Sequence, residues 1–196
     1  MKTALVFGAT GGIGSATVRQ LSSRRYTVVT VNRSQLDLYG AMFESHKRPN
    51  VSSVIAEVDP DVVINCAGVL EGDYCQVFDV NVASCWHIIQ HYIQRPEPSK
   101  PVSIILVGSS AYSGGRRNYP LYSASKAALH NLVQGCQELL ADRPVTLSLL
   151  HPSRVRTRMS EQLPKTNRQL TATQVARELV KMIKEPSQIK ELNCKL

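Results

Sequence analysis

The chain has 196 residues, 43% of them hydrophobic and 19% charged, with a formal net charge of +8. That length suits one sizeable domain spanning 1–196, and the composition is that of an ordinary soluble globular protein. No apolar stretch is long enough for a transmembrane helix, so no membrane partner is expected; five cysteines without C-x-x-C or Cys/His ligand spacing point to free thiols, not to a disulfide frame or a metal site.

The N-terminal "MKTALVFGATGGIG" begins apolar, but glycines interrupt it at once. It reads as a first strand, not a signal peptide, which makes the cytoplasm the expected compartment. "IGSATVRQLSSR" follows with a helical apolar face at Ile13, Ala16, Val18 and Leu21, and "TVVTV" is a second strand. "VIAEV" belongs to a short helix before the strand in "DVVINCAG", and a helix runs from about Tyr74 to Gln94. Pro96, Pro98 and Pro101 punctuate a loop before "VSIILVG", whose continuous hydrophobicity suits a parallel strand covered on both faces. A helix from about Pro120 to Ala141, the strand "VTLSLL" and the helix "TQVARELVKMI" complete the pattern, with Thr171 and Gln174 as a capping box. The tail "PSQIKELNCKL" reads either as a last edge strand or as a loosely packed end. Strand and helix alternation of this kind predicts an α/β fold: one Rossmann-type, doubly wound parallel sheet flanked by helices on both faces.

In such sheets ligands sit at the carboxyl ends of the strands. The first strand ends in "GATGGIG", where Gly8, Gly12 and Gly14 form G-x-x-x-G-x-G at a strand-to-helix turn. Thr10, Gly11 and Ile13 complete the loop. Glycines let the backbone approach a pyrophosphate, and the helix start behind them supplies unpaired N–H groups. The same glycines would also serve a tight turn with no ligand. The second strand ends in Asn32 and Arg33. A carboxylate there would favour NAD(H), whereas Arg33 suits the 2′-phosphate of NADP(H). NADP(H) is therefore the preferred cofactor expected, with NAD(H) still admitted; the bland reading of Arg33 is a solvated loop charge.

"LYSASK" places Tyr122 and Lys126 four residues apart, on one helix face. Alone, the pair could be a packed aromatic beside a solvated charge. With "NCAG" (Asn65, Ala67, Gly68), Asn81 in "FDVNVAS" and Ser109 in "LVGSS", thirteen residues before Tyr122, the chain resembles the short-chain dehydrogenase/reductase family in a compact form. The resemblance covers roughly Lys2 to Met159. It implies hydride transfer between a dinucleotide and a small-molecule carbonyl or alcohol substrate. Tyr122 would be the acid or base, Ser109 would bind the substrate oxygen, and Lys126 would hold the nicotinamide ribose. Asn81 would hold a relay water. A nearby ammonium is expected to lower the Tyr122 pKa.

The resemblance also assigns Asp37 and Leu38 to the adenine pocket, with the usual second helix and third strand abbreviated around them. Pro152, Val155 and Thr157 match its nicotinamide-carboxamide segment. Ser153 stands where glycine is usual, which raises the question of strain at a left-handed backbone position. Residues 153–170 form only a short substrate loop, so the site is either open or completed by a partner subunit. Family habit and the excess apolar positions on the helices carrying Asn81 and Tyr122 imply a homodimer or homotetramer. His87 and His91 have helical ligand spacing but lack a third ligand, and read as surface or interface residues.

The basic residues fall in short clusters without aromatic interleaving, so nucleic acid is not an expected partner. Arg116, Arg117, Arg154, Arg156 and Arg158 lie in loops at the cleft mouth. They either face cofactor and water or select an anionic substrate such as a sugar phosphate. Two other functions compete: a non-catalytic dinucleotide-binding regulator, and a sugar-nucleotide-modifying enzyme of the extended family. The intact Ser109, Tyr122 and Lys126 argue against the first, and the short C-terminal part argues against the second.

Overall fold

The computed structural model describes residues 1–32, 50–95, 97–161, 163, 166–186 and 188–194. Strand β1 (Thr3–Phe7) passes through the glycine turn into α1 (Gly12–Ser22), and β2 (Thr27–Val31) returns beside it. Helix α2 (Val51–Val58) precedes β3 (Val62–Asn65). Next come α3 (Tyr74–Phe78), one π-helical turn at Asp79–Ala83, and α4 (Ser84–Gln94). Strand β4 (Val102–Val107) leads through a 3₁₀ turn, Ser110–Ser113, to α5 (Pro120–Leu139) and β5 (Val145–Pro152). Short β6 (Val155–Arg156) and β7 (Leu170–Thr171) precede α6 (Ala172–Met182) and β8 (Ile189–Leu192).

The main sheet has the order β2-β1-β3-β4-β5-β8, and every pairing in it is parallel. The chain winds outward from β1 to β2, then crosses to β3 on the other side of β1. That reversal opens a crevice at the strands' carboxyl ends.

Alternate side chains of each strand serve opposite faces. Leu5, Phe7, Ile104, Leu106, Leu147 and Leu149 pack with Ile55 of α2, Ile88 and Ile89 of α4, and Leu129 and Val133 of α5. Ala4, Val6, Ile64, Ile105 and Leu150 pack on the other face with Leu21 of α1 and with Val175 and Leu179 of α6. Each fully buried Leu, Ile, Val or Phe stabilises the fold by about 1.5–3 kcal/mol over its exposed state. This two-sided burial explains the unbroken apolar strands.

Local signals place the helix ends. Thr171 Oγ1 accepts from the Gln174 N–H at 3.2 Å, and Gln174 Oε1 accepts from the Thr171 N–H at 2.8 Å. This is the expected capping box. Asp73 caps α3 through the Gln76 N–H at 2.8 Å. The ambiguous tail resolves as edge strand β8, paired to β5 from Leu149↔Ile189 to Pro152↔Leu192. The helix expected from Tyr74 to Gln94 is continuous but carries the π turn around Asn81, an extra residue that period counting does not reveal. The abbreviated second helix and third strand expected around Asp37 fall outside the described residues.

Candidate functional site

Gly8 ends β1 with φ of +70°, a backbone conformation that L side chains rarely adopt. A Cβ there would also lie 2.6 Å from the Ala67 nitrogen. The Gly8 carbonyl accepts from the Gly11 N–H at 3.1 Å, and a Cβ on Gly14 would overlap that same carbonyl oxygen. The loop is thus pressed between β3 and the start of α1. Gly11 caps α1 without a side-chain hydrogen bond, and the first turn carries no acidic residue. Its leading N–H groups and the positive helix end therefore face outward toward any anion.

Two joined cavities run along the carboxyl ends of the strands. One, of about 580 Å³, is walled by Gly8, Thr10, Gly11, Gly12, Asn32 and Arg158 among others. The second, of about 350 Å³, holds Ser109, Tyr122, Lys126, Pro152 and Val155. Ile13, Cys66, Ala67, Gly68, Thr157 and Met159 belong to both walls, so the cleft is continuous.

Three of the expected residues stand behind the walls. Gly14 packs α1 onto the loop. Asn65 is buried; its Oδ1 accepts from the Ala67 N–H at 2.9 Å, while its amide donates to Ser84 Oγ and Cys85 Sγ, each at 3.2 Å. Asn81 is fully buried: its Oδ1 accepts from the Val69 N–H at 2.9 Å, and its amide donates to the Val69 carbonyl at 2.9 Å and Ser125 Oγ at 3.0 Å. Both asparagines shape the main chain that follows β3. Arg33, Asp37 and Leu38 lie outside the described residues.

Ser109 sits just beyond β4, and Tyr122 and Lys126 share one face of α5. Ser109 and Tyr122 line the same cavity, and the Ser109 hydroxyl is close enough to Tyr122 to favour its phenolate. Ser109 Oγ also accepts from the Ala111 N–H at 3.2 Å. Lys126 is buried, donates to the Val107 carbonyl at 3.0 Å, and lies 5.7 Å from the centre of the Tyr122 ring. Burial lowers the Lys126 pKa. Burial also raises the Tyr122 pKa, opposed by the Ser109 hydroxyl. Burial outweighs the expected lowering, and the opposing influence on Tyr122 comes from Ser109 and not from Lys126.

Ser153 is not among the described residues with positive φ, so serine fits without left-handed strain. Its N–H donates to the Leu192 carbonyl at 2.8 Å and its Oγ accepts from the Cys194 N–H at 3.2 Å, tying down the tail. The arginines divide. Arg116 and Arg154 line the Ser109 cavity and Arg158 the glycine-loop groove, whereas Arg117 and Arg156 line neither. Tyr119 is on the cavity wall, while Tyr112 stacks on His130 and His151. His91 Nδ1 is 2.8 Å from Ser52 Oγ. Leu70, Met159 and Leu163 supply an apolar part of the cavity wall that no spacing rule singles out.

Comparison with known proteins follows the same geometry. A family model described as short chain dehydrogenase matches residues 2–168. An uncharacterized short-chain type dehydrogenase/reductase of Sinorhizobium fredii is 25% identical over 181 residues, covering 81% of this chain and 71% of the relative. The crystal structure of a 3-alpha-hydroxysteroid dehydrogenase from Pseudomonas sp., complexed with NADH, superposes with a TM-score of 0.81 at 17% identity, covering 97% of this chain and 94% of that one. A short chain dehydrogenase from Burkholderia cenocepacia in complex with NADP gives 0.79 at 18% identity, covering 98% and 88%. At these identities the structural likeness speaks to the fold.

Proposed function

The chain belongs to the short-chain dehydrogenase family, and on that premise we propose that it is an NADP-preferring oxidoreductase interconverting a carbonyl and an alcohol. The observation that carries this reading is Ser109, Tyr122 and buried Lys126 on one cavity wall, continuous with the glycine-loop groove. The groove fits a dinucleotide: small residues leave backbone exposed, uncapped N–H groups open α1, and Arg158 adds a positive charge to the wall. When bound, the nicotinamide supplies or accepts the hydride.

The protein's own groups then handle the oxygen and its proton. Ser109 Oγ hydrogen-bonds the carbonyl oxygen, and Tyr122 delivers its hydroxyl proton to that oxygen, or removes it in the reverse direction. Lys126 holds the nicotinamide ribose, and its charge supports phenolate once proton transfer begins. Gly8, Thr10, Gly11, Gly12 and Ile13 hold the diphosphate end; Pro152, Val155 and Thr157 hold the carboxamide end. Gly14, Asn65, Ala67 and Gly68 fix the main chain around them. With the Asn81 amide committed to Val69 and Ser125, a relay water would be held by main-chain oxygen at the π turn.

Neither Asn32, which lines the groove, nor Arg33 after it is a carboxylate. That supports the NADP(H) preference, and the adenine roles of Asp37 and Leu38 belong to the same reading. Related folds bind either NADH or NADP, so the choice rests on this segment. Arg116 and Arg154 on the cavity wall favour an anionic substrate. The apolar positions on the helices carrying Asn81 and Tyr122 are used within the protomer, with Ile89, Leu129, Val133 and Leu140 in the core and Trp86, Ile93 and Leu132 packed against it. A homodimer or homotetramer therefore rests on family habit and on exposed Leu121 and Leu139. No described helix is long and apolar enough to cross a membrane, and a cytoplasmic enzyme is the reading we adopt. A carbonyl panel with NADPH and NADH, followed by cofactor absorbance, tests the function. Arg33→Asp should shrink or invert the preference for NADPH; equal affinities in the unmodified protein would sink it.

A further inference from the structure

His151 is the residue before Pro152 at the end of β5, 0% exposed and used by no step above. A buried imidazole has two ring nitrogens to satisfy. Nδ1 accepts from the Ser109 N–H at 3.1 Å, and Nε2 lies 3.1 Å from Nδ1 of His130. The Ser109 carbonyl oxygen is also 3.1 Å from His151 Nδ1, but it already accepts from the Tyr112 N–H at 3.1 Å. The arrangement that satisfies both ends of Ser109 has Nδ1 accepting. The ring proton then sits on Nε2 and is donated to His130. Burial pushes the His151 pKa down to about 4, which keeps the ring neutral near neutral pH.

The ring is held from every side. A Cβ on Gly108 would overlap His151 Nδ1, so glycine there lets the ring reach the Ser109 amide. Tyr112 covers the pair, its ring centre 3.9 Å from that of His151 and 4.4 Å from that of His130. The Tyr112 hydroxyl donates to Glu191 Oε1 at 2.7 Å, so β8 closes the stack. His130 lies on α5 one turn beyond Lys126 and two beyond Tyr122, on the face they share. The chain Ser109–His151–His130 therefore ties the end of β4 to that helix face by a route behind the cavity wall.

We propose that His151 is a positioning residue: through the Ser109 amide and His130 it sets the Ser109 hydroxyl in register with Tyr122. The proposal rests on the reading that Ser109 and Tyr122 perform the chemistry. Two groups delivered by different elements must be held to a fraction of an ångström, since misplacement by about 1 Å costs on the order of 10²-fold in rate. Ser109 follows β4 and Tyr122 lies on α5, and the histidine pair braces these two elements from outside the cavity.

The test compares His151→Ala with His151→Asn. The Asn side chain can still accept from the Ser109 N–H but does not reach His130. Amide hydrogen exchange by NMR needs no substrate. In His151→Ala the Ser109 amide should exchange roughly three- to tenfold faster, as for loss of one hydrogen bond, while the Ile104 and Ile105 amides inside β4 keep their rates. His151→Asn should restore the Ser109 rate. An unchanged Ser109 rate in His151→Ala overturns the proposal. So does equal acceleration along β4, which would make His151 a packing residue only. With phenanthrenequinone and NADPH as the probe pair, His151→Ala should lose about 10²-fold in kcat at unchanged KM for NADPH, with much of the loss recovered in His151→Asn. Unchanged kcat in His151→Ala also overturns it. Full turnover in Ser109→Ala would instead remove the reading beneath it, a different result, and if the probe is not turned over the exchange measurement decides alone.

Discussion

The two ends of the cleft are built by different means. The glycine-loop end is centred on one βα unit of near neighbours, and the loop's shape is main chain and missing side chains: Gly8 at positive φ, Gly14 against the Gly8 carbonyl, α1 without a side-chain cap. The other end is side chains brought together over long separations. Asn81 reaches Ser125 across 44 residues, Ser109 meets His151 across 42, and Tyr112 meets Glu191 across 79. A local site depends on backbone geometry and fails when atoms are added. A distributed site depends on particular functional groups and fails when atoms are removed.

The largest expected effect follows from removing one oxygen. Tyr122→Phe should lower turnover roughly 10²-fold or more, the scale of a general acid–base contribution. NADPH affinity by equilibrium fluorescence should hardly change, because the loop at the other end is untouched. Normal turnover would mean that another group moves the proton. A matching loss of affinity would mean that the two ends are not separable.

The same contrast explains what could be read from the sequence. The doubly wound sheet was legible because its strands are apolar on both faces and its turns carry glycine. Gly8, Gly11 and Gly12 were legible as a loop, and Ser109, Tyr122 and Lys126 as a family pattern. Spacing could not separate wall from support. Asn65 and Asn81 carry family motifs, yet both side chains turn inward to hold main chain. His151 gave no signal, since a histidine beside a proline has many ordinary uses and its partner on α5 is 21 residues away. Lys126 misled in a specific way: charge proximity suggested a lowered Tyr122 pKa, but burial of the phenol raises it. The five arginines were grouped by loop, and loop membership does not decide which of them reach the cleft.

Adding atoms at the local end should have the next largest effect. Gly14→Ala puts a methyl into the Gly8 carbonyl, a backbone atom that cannot swing aside. Overpacking of this kind costs roughly 1–3 kcal/mol. Denaturant unfolding should show that loss, and NADPH binding should weaken with it. Gly115→Ala is the control. A Cβ there meets nothing within 4 Å, so stability should stay within about 0.5 kcal/mol of the unmodified protein. Equal stability of the two variants would show that the loop yields, and the local end would then be less rigid than its packing implies.

The smallest effect concerns acid. His151 is neutral in the fold, with its pKa lowered from 6.5 to about 4, chiefly by burial. The Ser109 carbonyl, 3.1 Å from Nδ1, opposes that lowering because it would accept the proton of a charged ring; from α5, His130 and Lys126 reinforce the lowering, and Glu191 on β8 opposes it. Tyr112, stacked on the ring, has its own pKa raised by its hydrogen bond to Glu191. The sign follows from proton counting. Between pH 6.5 and pH 4 the unfolded chain carries a proton on this residue that the folded chain lacks, so stability falls as pH falls through that window. Above pH 6.5 the contribution is complete. His151→Asn has no ionisable group at this position, and its stability should decline less steeply over the same range, by an amount on the order of 1–3 kcal/mol. For a chain of this size each kcal/mol moves the unfolding midpoint by about 2–4 °C, so thermal melts of both proteins at several pH values would resolve the difference. The carboxylates common to both proteins cancel in the comparison. Parallel melting curves would show that the imidazole protonates freely in the folded protein. His151 would then be open to solvent beneath Tyr112 and His130, and not the buried brace that distinguishes this end of the cleft.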